Sequence, residues 1–167
     1  MTSSSVHQPD ARLDLVLERV VDVPRKRIWA AWTQPELLKK WFTPAPWITT
    51  ECEMNLRPGG VFRTVMRSPE GAQFDNVGCL LEIVEDEKLV WTGALGPGFR
   101  PRSTAPEAAV PFVMTAIIAL ADAPGGTRYT ATVIHGDEGA RAQHEQMGFH
   151  RGWSAALDQL VALAKTM

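Results

Sequence analysis

The sequence predicts an α+β fold in which a seven-stranded, curved antiparallel sheet wraps around one long C-terminal helix, with two short helices after the first strand. Three observations carry that prediction. Residues 137–165 read as a single helical pattern with Phe149, Trp153, Ala156, Leu160 and Ala164 on one apolar face, widened by Leu157 and Val161. Gly148 and Gly152 stand inside that pattern. Each costs about 1 kcal/mol relative to alanine in a helix interior, and close packing against a wrapped sheet would offset it. Upstream, short alternating segments succeed one another with Gly/Pro turns between them, as hairpin-connected strands do.

In order, residues 13–23 form the first strand, with Leu13, Leu15 and Leu17 on one side and Asp14 and Glu18 on the other. Pro24 opens a short helix that runs to Trp32, where its missing N–H does no harm, and Pro35 opens another that reaches Trp41. Residues 48–56 alternate Ile48, Cys52, Met54 and Leu56 against Thr49, Glu51, Glu53 and Asn55, a half-buried strand. Pro58-Gly59-Gly60 turns the chain into its partner, residues 61–67. Residues 73–84 place Val77, Cys79, Leu81 and Ile83 on one face, with Asp75 on the same face near the start. Asp86-Glu87 turns into residues 88–94. Residues 95–109 carry Gly96, Pro97, Gly98, Pro101 and Pro106, which predicts an irregular loop of the kind that serves as a lid. Residues 110–121 are apolar on both faces. Either a second layer covers the outer one or a second copy of the chain does, as a homodimer. Pro124-Gly125-Gly126 makes the last hairpin turn, and residues 127–135 alternate Tyr129, Ala131, Val133 and His135 against Arg128, Thr130 and Thr132. The polar Glu145 and Gln146 continue the terminal helix's apolar face toward its start, as they would if that half looked into a cavity.

At 167 residues and 45% hydrophobic, the chain suits one domain over 13–167, preceded by a disordered tail over 1–12. Net charge of −2 and a pI near 6.1 supply no field for nucleic acid. Arg25-Lys26-Arg27 is expected as a solvated first helical turn. Cys52 and Cys79 are expected as reduced core residues, which fits the cytoplasm. The first ten residues have no secretory pattern, and no apolar run approaches the roughly 20 residues that span a bilayer.

This order, with specific residues, resembles the SRPBCC or START-like superfamily and its helix-grip fold. Within it the chain is similar to the family named for the activator of the heat-shock-protein-90 ATPase. The matching pieces are Pro24 through Trp32, the segment from Pro35 ending in Lys40-Trp41-Phe42, Pro58-Gly59-Gly60, Glu82-Ile83 to Trp91-Thr92, and the terminal series Met147-Gly148-Phe149, Gly152-Trp153, Leu157 and Leu160. They cover nearly all of the chain after residue 12, although the loop over 95–109 is longer than the family pattern. The resemblance implies a START-like domain with a cavity between helix and sheet, of the kind that holds lipids, sterols, polyketides and other small apolar molecules. The leading expectation is a binding protein for such a ligand, with no cofactor. A cavity enzyme of the polyketide cyclase or dehydratase type is the alternative. A partner of a chaperone ATPase ranks third, because residues 1–12 do not supply the separate domain that precedes this one in the eukaryotic co-chaperone.

Candidate wall residues are Trp41, Trp47, Phe62, Met66, Trp91, Phe112, Met114, Phe149 and Trp153, with Asp75, His135 and Gln146 as polar points. His135 and Asp75, both expected at inward strand ends, form the candidate acid–base pair. A metal site is not expected. His144-Glu145-Gln146-Met147-Gly148 is a near miss of the zincin motif, whose second histidine would stand where Gly148 does, and His150 lies on another face of the helix. Gly96-Pro97-Gly98 follows an antiparallel strand and opens no helix, so it is no phosphate loop. Neither cysteine has a histidine placed beside it by sequence, so a thiol nucleophile is not indicated.

Overall fold

A computed structural model describes residues 7–102 and 112–167. Strand β1 (Asp14–Val21) leads through Pro24 into helix α1 (Arg25–Thr33) and the single turn α2 (Pro35–Leu38). Strands β2 (Ile48–Met54), β3 (Val61–Arg67), β4 (Gln73–Val84) and β5 (Lys88–Thr92) follow as a meander. After a two-residue hairpin, β6 (Leu95–Gly96) with β7 (Arg100–Pro101), come β8 (Met114–Ala123), β9 (Gly126–His135), α3 (Glu138–Gln146) and α4 (Phe149–Ala164). The main sheet is antiparallel throughout, with spatial order β1-β9-β8-β5-β4-β3-β2. The first strand returns beside the last, and the helices lie against one face. This is the helix-grip arrangement.

Strand periodicity assigns the inner face. Leu15 and Val21 of β1, Tyr129, Ala131 and Val133 of β9, Ala116, Ile118 and Leu120 of β8, Leu89 and Trp91 of β5, Leu80 of β4 and Phe62 of β3 belong to one buried cluster. The cluster continues into Ile28, Trp29 and Trp32 of α1 and Phe149, Ala156, Leu157, Leu160 and Ala164 of α4. Two irregularities shift the expected pattern. A bulge in β2 between Thr49 and Glu51 leaves Ile48 exposed and turns Thr49 inward. Another between Leu80 and Glu82 reverses the faces of β4, so that Leu80, not Leu81, enters the core. Asp75, Val77 and Cys79 do share a face, but it is the outer one. They oppose Val65, Arg63 and Val61, alternating with the inward Phe62 and Thr64.

The terminal helix is also divided. Gly148 adopts φ +93°, a left-handed conformation that ends α3 and starts α4. The glycine is needed for its backbone angle, not for close approach: a side chain at Gly148 or Gly152 would meet nothing within 4 Å. The contact expected at these two positions is therefore absent. Because the axis changes there, Glu145 and Gln146 do not extend the α4 stripe; both are exposed, and His144 is the buried residue of α3.

Other expectations change in detail. Of the basic run, Lys26 is exposed, whereas Arg25 donates to Asp122 and the Asp86 carbonyl, and Arg27 donates to the Ala164 carbonyl at the end of α4. Asp14, expected outside, is buried; its carboxylate accepts from the Asp10 N–H at 2.8 Å and lies 2.9 Å from His7 Nε2. Within the expected tail, residues 7–12 are exposed, while His7 and Asp10 bond to Asp14 and Arg12 pairs with Glu138. The loop expected over 95–109 contains the β6–β7 hairpin, with Gly98 and Phe99 at φ +77° and +63°; its remainder, 103–109, lies outside the described residues. β8 starts at Met114 rather than at 110, and its outward Thr115, Ile117 and Ala119 are half-buried. Both cysteines are unpaired thiols. Among the described residues, no helix is long and apolar enough to cross a membrane.

The glycines give a direct test of these backbone roles. A Cβ at Gly60 would stand 1.9 Å from the Asn55 carbonyl oxygen, and one at Gly126 2.0 Å from that of Val21. Gly60→Ala and Gly126→Ala should each destabilise by about 1–3 kcal/mol. Gly152→Ala, in a helix with open space beside it, should stabilise by up to about 1 kcal/mol. Urea denaturation of the three variants checks the contrast.

Candidate ligand cavity

Between the inner face of the sheet and α4 lies a cavity of about 400 Å³. Its inner end is aromatic. Trp32 packs edge-on against Trp41 at 4.7 Å and Phe42 at 5.7 Å, and lies 5.1 Å from Trp91. Phe62 meets Trp91 edge-on at 5.1 Å. The indole N–H groups do not point loose into the void: Trp32 donates to the Tyr129 hydroxyl at 3.2 Å, and Trp41 to the Ala31 carbonyl at 3.0 Å. Burial holds the Tyr129 phenol protonated, with its pKa well above the usual tyrosine value.

The second end is set by strand lengths. β5 stops at Thr92 opposite Cys79, so residues 73–78 of β4 extend past it, and residues 76–78, Gly93, Val113 and Met114 line that part of the cavity. Arg102 also lines it, donating through Nη1 to the Val77 carbonyl that β5 would otherwise cover. The rim near α4 is fastened by Gln159. Its amide donates to the carbonyls of Trp41 at 2.9 Å and Thr43 at 2.8 Å, and its carbonyl accepts from the Ala45 N–H at 2.9 Å. Trp47 stacks on Phe74 at 5.6 Å just beyond.

All nine apolar candidates from the sequence border this cavity: Trp41, Trp47, Phe62, Met66, Trp91, Phe112, Met114, Phe149 and Trp153. The polar candidates fare differently. Asp75 borders it, but its carboxylate accepts two bonds from Arg63, at 2.9 and 3.0 Å, on the outer face. Gln146 is exposed and outside the lining, because the helix breaks after it. His135 stands behind the wall, and strands β8 and β5 separate it from β4 and Asp75. The expected His135–Asp75 pair therefore does not exist.

His135 instead meets His144. Nε2 of His135 lies 2.9 Å from Nδ1 of His144, and Nδ1 of His135 lies 2.8 Å from the Leu13 carbonyl oxygen. His144 lines the cavity among Phe112, Phe149 and Trp153, with ring centroids 5.0, 5.2 and 6.4 Å away. Burial, and then the neighbouring His135, lower its pKa to about 4. Sequence reasoning weighed His144 only as part of a metal motif. The usable signal was an inward His135 at the end of β9 followed nine residues later by a histidine in the first helix after it. Trp32, Phe42, Tyr129 and Arg102 were also missed as lining residues. Among the described residues, no cluster of histidine, cysteine and carboxylate side chains is arranged to hold a metal ion.

The fold and cavity define a START-like domain, and comparison supplies the family. The sequence model for the Activator of Hsp90 ATPase homolog 1-like protein family matches residues 22–165, and the chain belongs to that family, within the SRPBCC fold. The crystal structure of a protein from Nitrosomonas europaea is 49% identical, with 95% of this chain and 97% of that one aligned at a TM-score of 0.87. A Mycobacterium smegmatis crystal structure is 26% identical over 96% of this chain and 95% of that one, with a TM-score of 0.73. The solution structure of an AHSA1-like protein from Aeromonas hydrophila shares the fold at 21% identity, 92% and 93% coverage and a TM-score of 0.68. No protein of curated function matches.

Two outcomes test the site's construction. Gln159→Leu leaves two backbone carbonyls and an N–H without their partner and should cost about 1–3 kcal/mol in stability, measured by denaturation. For His144, the folded pKa of about 4 lies below the ordinary 6.5, so the unfolded chain binds the proton first. Stability should fall as pH drops from about 6.5 toward about 4, and His144→Phe should lack that part of the decline. The two proteins' urea midpoints across this range give the difference.

Proposed function

We propose that this protein binds a small apolar or amphipathic molecule in the cavity between its sheet and α4. The observation that carries the reading is the void itself, about 400 Å³ with walls that are largely aromatic and aliphatic. At about 24 cal/mol per Å³, an empty cavity of this size would forfeit on the order of 10 kcal/mol, as much as the whole stability of an ordinary domain. Water or a ligand must occupy it. Water finds few partners there, since the Trp32 and Trp41 N–H groups are already bonded within the protein. An apolar molecule gains what water cannot, and the size is within the range of small-molecule sites. Trp41, Phe62, Trp91, Phe149 and Trp153 supply the contact surface in this reading.

Gly152 provides the test. It lines the cavity, and a side chain there would enter open space. Naphthalene should raise the melting temperature of the wild type and quench tryptophan emission, because a ligand of the folded state alone stabilises it. Gly152→Leu should remain folded and lose both responses, since its side chain occupies the ligand's volume. Native mass spectrometry of freshly purified protein should show a bound small molecule that the leucine variant lacks. An unchanged melting point with naphthalene, together with no bound mass, would overturn the reading.

A further inference from the structure

If the cavity holds a ligand as proposed, the hydrogen bonds of the two buried histidines beside it define that ligand's chemistry. The Leu13 carbonyl oxygen can only accept, so Nδ1 of His135, 2.8 Å away, carries a hydrogen. The backbone N–H of His135 donates to the same oxygen at 3.2 Å, which fixes the ring's place. In the neutral ring Nε2 is then bare and must accept. Its partner at 2.9 Å is Nδ1 of His144, which therefore holds the hydrogen of that ring. Nε2 of His144 is left as a bare acceptor. Both rings are buried, with 4% and 5% of their surface exposed, and burial with the neighbouring His135 lowers the His144 pKa to about 4, so that ring is neutral.

That acceptor has no hydrogen-bond partner among the described residues. No sealed side-chain nitrogen or oxygen among them lacks a partner, so Nε2 is within reach of whatever fills the cavity. Around the ring stand Phe112, Phe149 and Trp153, of which only the indole could donate. We propose that the cavity's ligand is an apolar molecule bearing a hydroxyl group, an alcohol or a phenol, whose O–H donates to Nε2 of His144. A hydroxyl is the smallest neutral donor that answers one acceptor. An ammonium would bring a buried charge, and the carboxylate among the described lining residues, Asp75, is engaged by Arg63. An amide would bring a carbonyl requiring a donor of its own.

Titration calorimetry with 1-naphthol, 1-methoxynaphthalene and naphthalene tests this. The wild type should bind 1-naphthol about three- to tenfold more tightly than its methyl ether, the worth of one net hydrogen bond. His144→Phe should bind the two about equally while still binding naphthalene. Long-range imidazole ¹⁵N spectra of the wild type should show His144 protonated at Nδ1, with the Nε2 signal shifting on addition of 1-naphthol but not of the ether. These last measurements need no variant, so they decide the matter even if His144→Phe does not fold. Equal affinity for naphthol and ether in the wild type, or a proton on Nε2, would overturn the assignment of the hydroxyl while leaving the cavity a binding site. Failure of all three probes to bind would remove the cavity reading as well.

Discussion

The cavity depends on one backbone conformation, the left-handed residue at Gly148. Without it, the pattern over 137–165 would continue as a single rod, and the polar face of its first part would point the same way as Phe149 and Trp153. With φ +93° at Gly148, α3 turns away before α4 begins. The turn buries His144 against His135 and sets Phe149 at the head of the apolar stripe. An L-residue in this conformation costs about 1–2 kcal/mol, so glycine is the residue the turn requires. The same break exposes Glu145 and Gln146, which a continuous helix would have aimed inward.

The sheet leaves the space that the helix closes. β5 is five residues long beside a β4 of twelve, so the ladder between them ends at Thr92 while β4 extends beyond it. Collapse into that space is opposed by polar ties that hold the walls at fixed positions. Gln159 bridges α4 to the strand-free segment after α2, the Trp32 indole reaches across to Tyr129, and Arg19 donates to Ser154 and pairs with Asp158 on α4. The first two join elements that line the void without filling it. Aromatic side chains fastened at their polar ends keep their rings apart, which aliphatic chains with free rotamers would not.

The fold was legible because its signals are periodic. Alternation placed Tyr129, Ala131, Val133 and His135 on one face, and Pro58-Gly59-Gly60 and Pro124-Gly125-Gly126 marked turns that require glycine. What escaped were places where the period breaks. The bulge at Leu80/Glu82 inverted the faces of β4 and carried Asp75 outward to Arg63, and such an insertion has no composition of its own. Gly148 and Gly152 look alike in sequence, yet one is there for its dihedral angle and the other stands beside open space. All nine apolar candidates border the cavity because size and hydrophobicity mark them individually, whereas Trp32, Phe42 and Tyr129, which also line it, were missed. The polar partners were missed as well: His135–His144 depends on how α3 turns back against the end of β9, and Gln159–Trp41 joins elements far apart in sequence.

Burial shifts the titratable groups in and beside the cavity in one direction. It raises Cys52, beside the core, to about 11 and Tyr129 well above the usual tyrosine value, and it lowers His144 to about 4. All three shifts disfavour the charged form. A thiol raised in this way stays protonated at neutral pH and is a poor nucleophile, and an imidazole held so low is a weak base, far from the near-neutral value at which proton transfer is most effective. The same low basicity does not stop Nε2 of His144 from accepting a hydrogen bond. Walls that resist charge on their own side chains would resist it equally on a guest, which is why the proposed ligand is neutral. Arg102, at the end left open by β5, is the one Lys or Arg among the described lining residues, and it is only half-buried.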